Sequence, residues 1–194
     1  SWYIASCLVD RKDAVVLDVG ANVGDFSLKL GAFLRSSGKS AAKIHAFEPV
    51  PHICAKFMEN LKNNPGLSDH IELHSVCISD GAGKIKFVVD QLNSGGSSLV
   101  EKKNVAEDKT STIEVETQTL DRFVEDKNFS NVDFIKIDVE GAEPLVLKGA
   151  LETLRRFKSH VYIEITDEWY RKVGSSGAEV VSLLGQTHDV YYVD

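Results

Sequence analysis

Cysteine, basic charge and long apolar runs are all scarce in this chain. Its three cysteines, Cys7, Cys54 and Cys77, have no regular spacing, so they supply neither a disulfide framework nor a zinc pattern. A reducing, cytoplasmic compartment is the resulting expectation. Lys and Arg number 22 against 29 Asp and Glu, for a net charge of -7. That balance argues against a nucleic-acid surface, which wants a basic patch. The pairs Lys102-Lys103 and Arg155-Arg156 are short and read as solvated surface. No stretch reaches the apolar length of a membrane span, and no signal peptide is visible. There is no internal repeat. The chain starts at Ser1 and closes on Val190-Tyr191-Tyr192-Val193-Asp194, so both ends read as cut from something longer, and a leader or anchor elsewhere stays open.

What is present is a core. With 43% hydrophobic residues in 194, residues 1–194 read as one globular domain. Apolar runs alternate with helical patterns, which predicts an α/β fold with a mostly parallel, doubly wound sheet. Strands are expected at Ala14–Val19, Lys43–Phe47, Ile71–Ile78, Val132–Asp138, His160–Ile165 and Val190–Val193. Helices are expected from Phe26 to Leu34, Pro51–Asn63, Pro144–Phe157 and Ala178–Leu184. Lys84–Val89 and Thr112–Thr119 alternate like strands with no helix between them, and read as an inserted antiparallel pair. The intervening Gln91–Ser111, rich in Ser, Gly, Lys and Asp, is long enough to be a lid or a disordered segment.

The strongest local signal is Val15-Val16-Leu17-Asp18-Val19-Gly20-Ala21-Asn22-Val23-Gly24. An apolar strand ends in an acid and opens into a glycine turn leading to a helix N-terminus, a place where backbone approaches a ligand closely. A dinucleotide turn has G-x-G-x-x-G. Here Asn22 stands where close phosphate approach wants no side chain, and Asp18 would repel a diphosphate. S-adenosyl-L-methionine, with an ammonium, a sulfonium and a ribose diol but no phosphate, suits this loop better than a nicotinamide cofactor. Asp18 would pair with the ammonium, directly or through water, and Gly20–Gly24 would approach the methionine part. Glu48, in Phe47-Glu48-Pro49 at the end of the second strand, is placed to accept hydrogen bonds from the diol. His45 reads as a strand residue rather than a ligand.

A second signal follows the fourth strand: Asp138-Val139-Glu140-Gly141-Ala142-Glu143-Pro144. Three carboxylates lie at the carboxyl end of a buried strand, where such sheets bind ligands. Glu143 also suits the start of a helix, where its charge favours the dipole. Carboxylates alone specify no metal geometry, and no metal is assigned.

Together these motifs resemble the FkbM family of methyltransferases. The matching segments are Leu17–Gly24, Phe47-Glu48-Pro49, Gly95-Gly96-Ser97-Ser98-Leu99, Thr119-Leu120-Asp121 and Lys136–Glu143. The resemblance implies a Rossmann-like class I methyltransferase fold whose final antiparallel strand would lie beyond Asp194. It implies O-methylation of a hydroxyl on a sugar or small-molecule acceptor, with S-adenosyl-L-methionine as cofactor. Asp18, Gly20, Asn22 and Gly24 would then meet the methionine part and Glu48-Pro49 the ribose. Ser79-Asp80 would lie near the adenine, and Asp138 beside the sulfonium. A hydroxyl needs its proton removed before it attacks. Asp138, Glu140 and Glu164 are the candidate bases, and Ser97, Ser98 and Glu143 the candidate acceptor contacts. The alternative is a methyltransferase-like module that binds without turnover.

Overall fold

The computed structural model describes residues 2–8, 10–90, 110–171 and 174–191. The chain runs α1 (Trp2–Leu8), β1 (Val15–Val19), α2 (Asp25–Ser36), β2 (Lys43–Phe47), α3 (Pro51–Lys62), β3 (Ile71–His74) and β4 (Cys77–Ile78). It continues through β5 (Gly83–Asp90), β6 (Thr110–Gln118), α4 (Leu120–Lys127), β7 (Phe134–Ile137) and α5 (Glu143–Lys148). The last elements are α6 (Leu151–Phe157), β8 (His160–Ile163), α7 (Asp167–Tyr170) and α8 (Gly177–Gly185). No helix among the described residues is long and apolar enough to cross a membrane.

Five strands form a parallel sheet in the order β3-β2-β1-β7-β8. All five positions of β1 are buried, as expected where helices cover both faces of a parallel sheet. Alternate residues feed two cores. Val15, Leu17, Val19, Ile135 and Ile137 pack with Val146, Leu147, Leu154, Val180 and Leu184 from α5, α6 and α8. Val16, Ile44, Ala46 and Phe134 pack on the other face with Leu30, Leu34, Phe57 and Leu61 from α2 and α3. The four-residue spacing of Ile53, Phe57 and Leu61 gives α3 its buried stripe.

A second sheet, ordered β4-β6-β5, carries the expected antiparallel pair, with Lys84 opposite Glu116 and Ile85 opposite Val115. The segment joining β5 to β6 lies outside the described residues, and Ser97 and Ser98 with it.

Four expectations change. The strand expected over Ile71–Ile78 is two strands. It turns at Val76, whose N–H bonds the His74 carbonyl, and β4 leaves to pair with β6. The helix expected over Pro144–Phe157 breaks at Gly149-Ala150. Gly149 presses on the loop after β4 so closely that a Cβ would overlap the Ser79 carbonyl. Asp121 then caps the new helix, its carboxylate accepting from the N–H groups of Glu152 and Thr153 at 3.1 and 2.7 Å. Helices α1, α4 and α7 are additional; Thr119 Oγ1 caps α4 by accepting from the Arg122 N–H. Of the strand expected at Val190–Val193, Val190 and Tyr191 are irregular and the rest lies outside the described residues.

Candidate active site

The order of the five-stranded sheet reverses at β1. The chain passes from β1 outward to β2 and β3, and later returns on the other side to β7 and β8. At such a switch point the loops leaving the carboxyl ends part and form a crevice. Here those loops carry Gly20–Gly24, Glu48, Asp138–Ala142 and Glu164.

The loop after β1 is built from left-handed conformations at Gly20 (φ 81°), Asn22 (φ 52°) and Gly24 (φ 90°). Gly20 and Ala21 both donate their N–H to the Phe47 carbonyl, at 3.1 and 3.0 Å. A Cβ on Gly20 would overlap the Asp138 carbonyl oxygen, so the loops after β1 and β7 meet backbone to backbone. Asn22 tolerates its left-handed φ because a short polar side chain can bond locally. Its Oδ1 accepts from the Val23 N–H at 2.7 Å. Gly24 opens α2 against the Phe57 ring, which leaves no room for a Cβ. Asn60 of α3 donates to the Val23 carbonyl and holds the loop from behind.

Asp18 is not a surface carboxylate. It is 0% exposed, accepts a 2.6 Å hydrogen bond from Ser27 of α2, and lies 3.2 Å from the Lys136 ammonium. Asp18 and Lys136 are direct register partners on β1 and β7. The same ammonium reaches the Gly20 carbonyl at 3.2 Å and the Asp138 carboxylate at 3.3 Å. Burial pushes the Asp18 carboxyl up, against the pull of Lys136 and Ser27. Burial would by itself lower the lysine, but Asp18 and Asp138 outweigh it and hold Lys136 above its ordinary range. The lysine therefore carries its charge, and it ties the acid of β1, the glycine turn and the acid after β7 into one unit. Asp18, expected to pair with a ligand ammonium directly or through water, here faces Ser27 and Lys136. Asp138, with a 39% exposed side chain, is the member that faces out.

Glu48 is buried at the end of β2. One carboxylate oxygen accepts from the Asn22 N–H at 3.0 Å and the other from the Val50 N–H at 2.9 Å. Burial pushes its carboxyl up to about 7, with those two amides pulling the other way. The two hydrogen bonds use two of its roughly four acceptor positions. Pro49, half-buried, follows it. Ser79 extends β4, bonding the Gln118 carbonyl through its N–H, and its hydroxyl reaches Asp80 at 3.3 Å. Both sit against the α5–α6 break.

The acidic corner sorts into two groups. Glu143 is turned inward, 2% exposed, and its two oxygens accept from the Val139 and Gly141 N–H groups at 2.9 and 3.0 Å. Expected among the acceptor contacts, it holds its own loop instead. Glu140 occupies the turn with a left-handed φ of 57°. Glu164 and Asp138 come together at the ends of neighbouring strands. Desolvation first, then the charge and hydrogen bond of Asp138, push the Glu164 carboxyl up. Tyr170 steadies this end by donating its hydroxyl to the Glu164 carbonyl at 2.7 Å.

The site residue that the sequence reading passed over is Lys136. Its signal was a lone cation inside an apolar strand, beside another strand bearing a lone buried acid. Such charges need each other.

Comparisons with known proteins give the family and the fold. A family model described as the methyltransferase FkbM domain matches residues 18–191. The 2-O-methyltransferase NoeI of Sinorhizobium fredii is 31% identical over 172 residues, covering 83% of this chain and 67% of NoeI. The hexuronic acid methyltransferase AglP of Haloferax volcanii is 27% identical over 155 residues, covering 80% of this chain and 57% of AglP. The chain thus spans about three-fifths to two-thirds of the length of these two relatives. A crystal structure of a methyltransferase FkbM from Methylobacillus flagellatus KT shares the fold, with a TM-score of 0.57 at 15% identity, over 91% of this chain and 37% of that one. The chain belongs to the FkbM methyltransferase domain family.

Proposed function

We propose that this domain binds S-adenosyl-L-methionine in the crevice between β1 and β7 and transfers its methyl group to a hydroxyl oxygen of a carbohydrate or other small-molecule acceptor. The observation that carries the reading is the loop pair at the switch point. Glu48, fixed by the Asn22 and Val50 amides, and the neighbouring Asp138 and Glu164 carboxyls stand at the strand ends around it. That donor set suits a ligand with cationic centres and a diol and disfavours a diphosphate.

Each residue has a task in this reading. Glu48, pinned by the Asn22 and Val50 amides, presents its remaining acceptor positions to the ribose hydroxyls. Lys136 holds Asp18, Gly20 and Asp138 in register without touching the reacting atoms. When bound, the cofactor supplies an electrophilic methyl group on sulfur. Asp138 and Glu164, side by side at the ends of neighbouring strands, are the carboxyl groups that take the acceptor proton. Glu140 orders the turn beside them. The remaining work is alignment of oxygen behind carbon and exclusion of water. The name of NoeI supports transfer to an oxygen, and that of AglP supports a sugar-acid type of acceptor.

The test is a calorimetric titration with S-adenosylmethionine, S-adenosylhomocysteine and NAD, followed by methyl transfer from labelled cofactor to hexuronic acids and neutral sugars. Binding of the adenosyl ligands alone, with label appearing on a sugar oxygen, is expected. Asp138→Asn and Glu164→Gln should each lower turnover by about 10²-fold or more while leaving S-adenosylhomocysteine bound. NAD binding would overturn the reading, and cofactor binding without transfer would make the domain a binding module.

A further inference from the structure

Away from the crevice, two histidines and a glutamate meet on the sheet face opposite Asp18. His45 lies on β2, and Glu72 and His74 on β3, with His45 opposite Glu72 and Phe47 opposite His74 in register. Alternation along a strand puts all of these on one face. His45 Nδ1 lies 3.1 Å from His74 Nε2. Glu72 Oε2 is 3.4 Å from His45 Nδ1, and Glu72 Oε1 is 3.7 Å from His74 Nε2. The ligand atoms of the three residues all fall within 4.8 Å of one another.

We propose that His45, Glu72 and His74 bind one zinc-class divalent cation, with solvent completing the coordination. Four donors placed tetrahedrally about 2.0–2.1 Å from zinc stand roughly 3.3 Å apart, and the 3.1 and 3.4 Å separations here match that spacing. Two imidazoles with one carboxylate select a borderline metal over magnesium or calcium, which prefer all-oxygen shells. The surroundings suit a metal as well. The His45 and His74 rings contact Phe123, and Phe47 and Phe129 close the wall. Glu72 is half-exposed and gives an open side for entry and for a water ligand.

Neutral imidazole is the form that binds a metal, and histidine reaches it at ordinary pH. Binding requires only the tautomers in which both facing nitrogens carry lone pairs. Lys127 holds Glu72 Oε1 at 2.8 Å, an outer contact that leaves Oε2 facing His45. Lys127 and Lys43 are the cations beside the histidines, and Glu72 is the charge that offsets them. The metal would staple β3, the last strand on its side of the sheet, to β2. The His74 carbonyl accepts from the Glu48 N–H, so the staple would also stiffen the strand end that presents Glu48.

The full chain, stripped with a chelator, is titrated with zinc chloride against a chromophoric competitor, with magnesium as control. One equivalent of zinc should bind and raise the thermal midpoint, and cobalt(II) added to the stripped chain should give a tetrahedral visible spectrum that zinc then abolishes. Glu72→Gln and His74→Gln should each weaken zinc by more than about tenfold and abolish the cobalt spectrum. Circular dichroism checks that each variant folds. Glu72, being exposed, keeps the test decisive if the histidine variant does not fold. No stoichiometric binding, or binding unchanged in the variants because thiols such as Cys54 carry it, would overturn the proposal.

Discussion

Lys136 and Glu48 show how single side chains set the site. Removing one partner from a buried ion pair leaves an uncompensated charge, which costs about 3–5 kcal/mol. Lys136→Met is therefore expected to lower stability in urea unfolding by that order. Asp18→Asn in the Lys136→Met background should recover a large part of the loss, because the stranded carboxylate is gone. Recovery of nothing would mean that the lysine acts through packing alone. Glu48 makes a pH prediction. Its folded carboxyl, at about 7, holds a proton that the unfolded chain releases near 4.5. Its contribution to stability therefore falls as pH rises across that window. Ligand binding runs the other way, because the ionised carboxylate is the better acceptor for a diol. Wild-type affinity for S-adenosylhomocysteine should climb as pH passes through about 7. Glu48→Gln should bind more weakly and lack that climb, and comparing the two cancels the ligand's own titration.

Among the elements, the α5–α6 break depends most on tertiary contacts. Its apolar residues continue a helical period straight through Gly149, so the pattern alone reads as one helix. Close approach to the Ser79 carbonyl and the Asp121 cap make it two. Asp121 lies 31 residues before Glu152, beyond the reach of a local capping motif. Asp121→Ala is expected to cost about 1 kcal/mol in chemical denaturation, with an unchanged denaturant slope. A cost near zero would show that water serves those amides equally well. By contrast, α3 was legible to within a residue, because its buried stripe and Pro51 start are both local. The α4 start was also local, in Thr119 and Arg122, and Leu120, Phe123 and Val124 keep helical spacing, but the helix is only eight residues long and offers barely two turns of pattern.

For the whole molecule, the two sheets differ in how they are held. The five-stranded sheet is covered on both faces by large clusters. The second sheet rests on a small one, with Val50, Ile53, Cys77 and Val115 at its centre. Native-state hydrogen exchange should therefore find the β1 and β7 amides opening only with global unfolding, and those of β5 and β6 opening earlier as a separate unit. Equal protection in both sheets would mean that they unfold as one.

The amino-acid order alone determined the elements with strong local period, the glycine turn and the acids at the carboxyl ends of β1, β2, β7 and β8. Those features depend on backbone conformation and burial within a few residues. From them the methyltransferase reading was already available. Tertiary structure decided which charges pair. Asp18 and Lys136 are 118 residues apart and meet only because β1 and β7 are neighbours. It also decided that Ile71–Ile78 serves two sheets, that Glu143 holds a loop, and that His45 and His74 share one face. Strand pairing is a long-range choice made by burial of the whole sheet, and no local period encodes it.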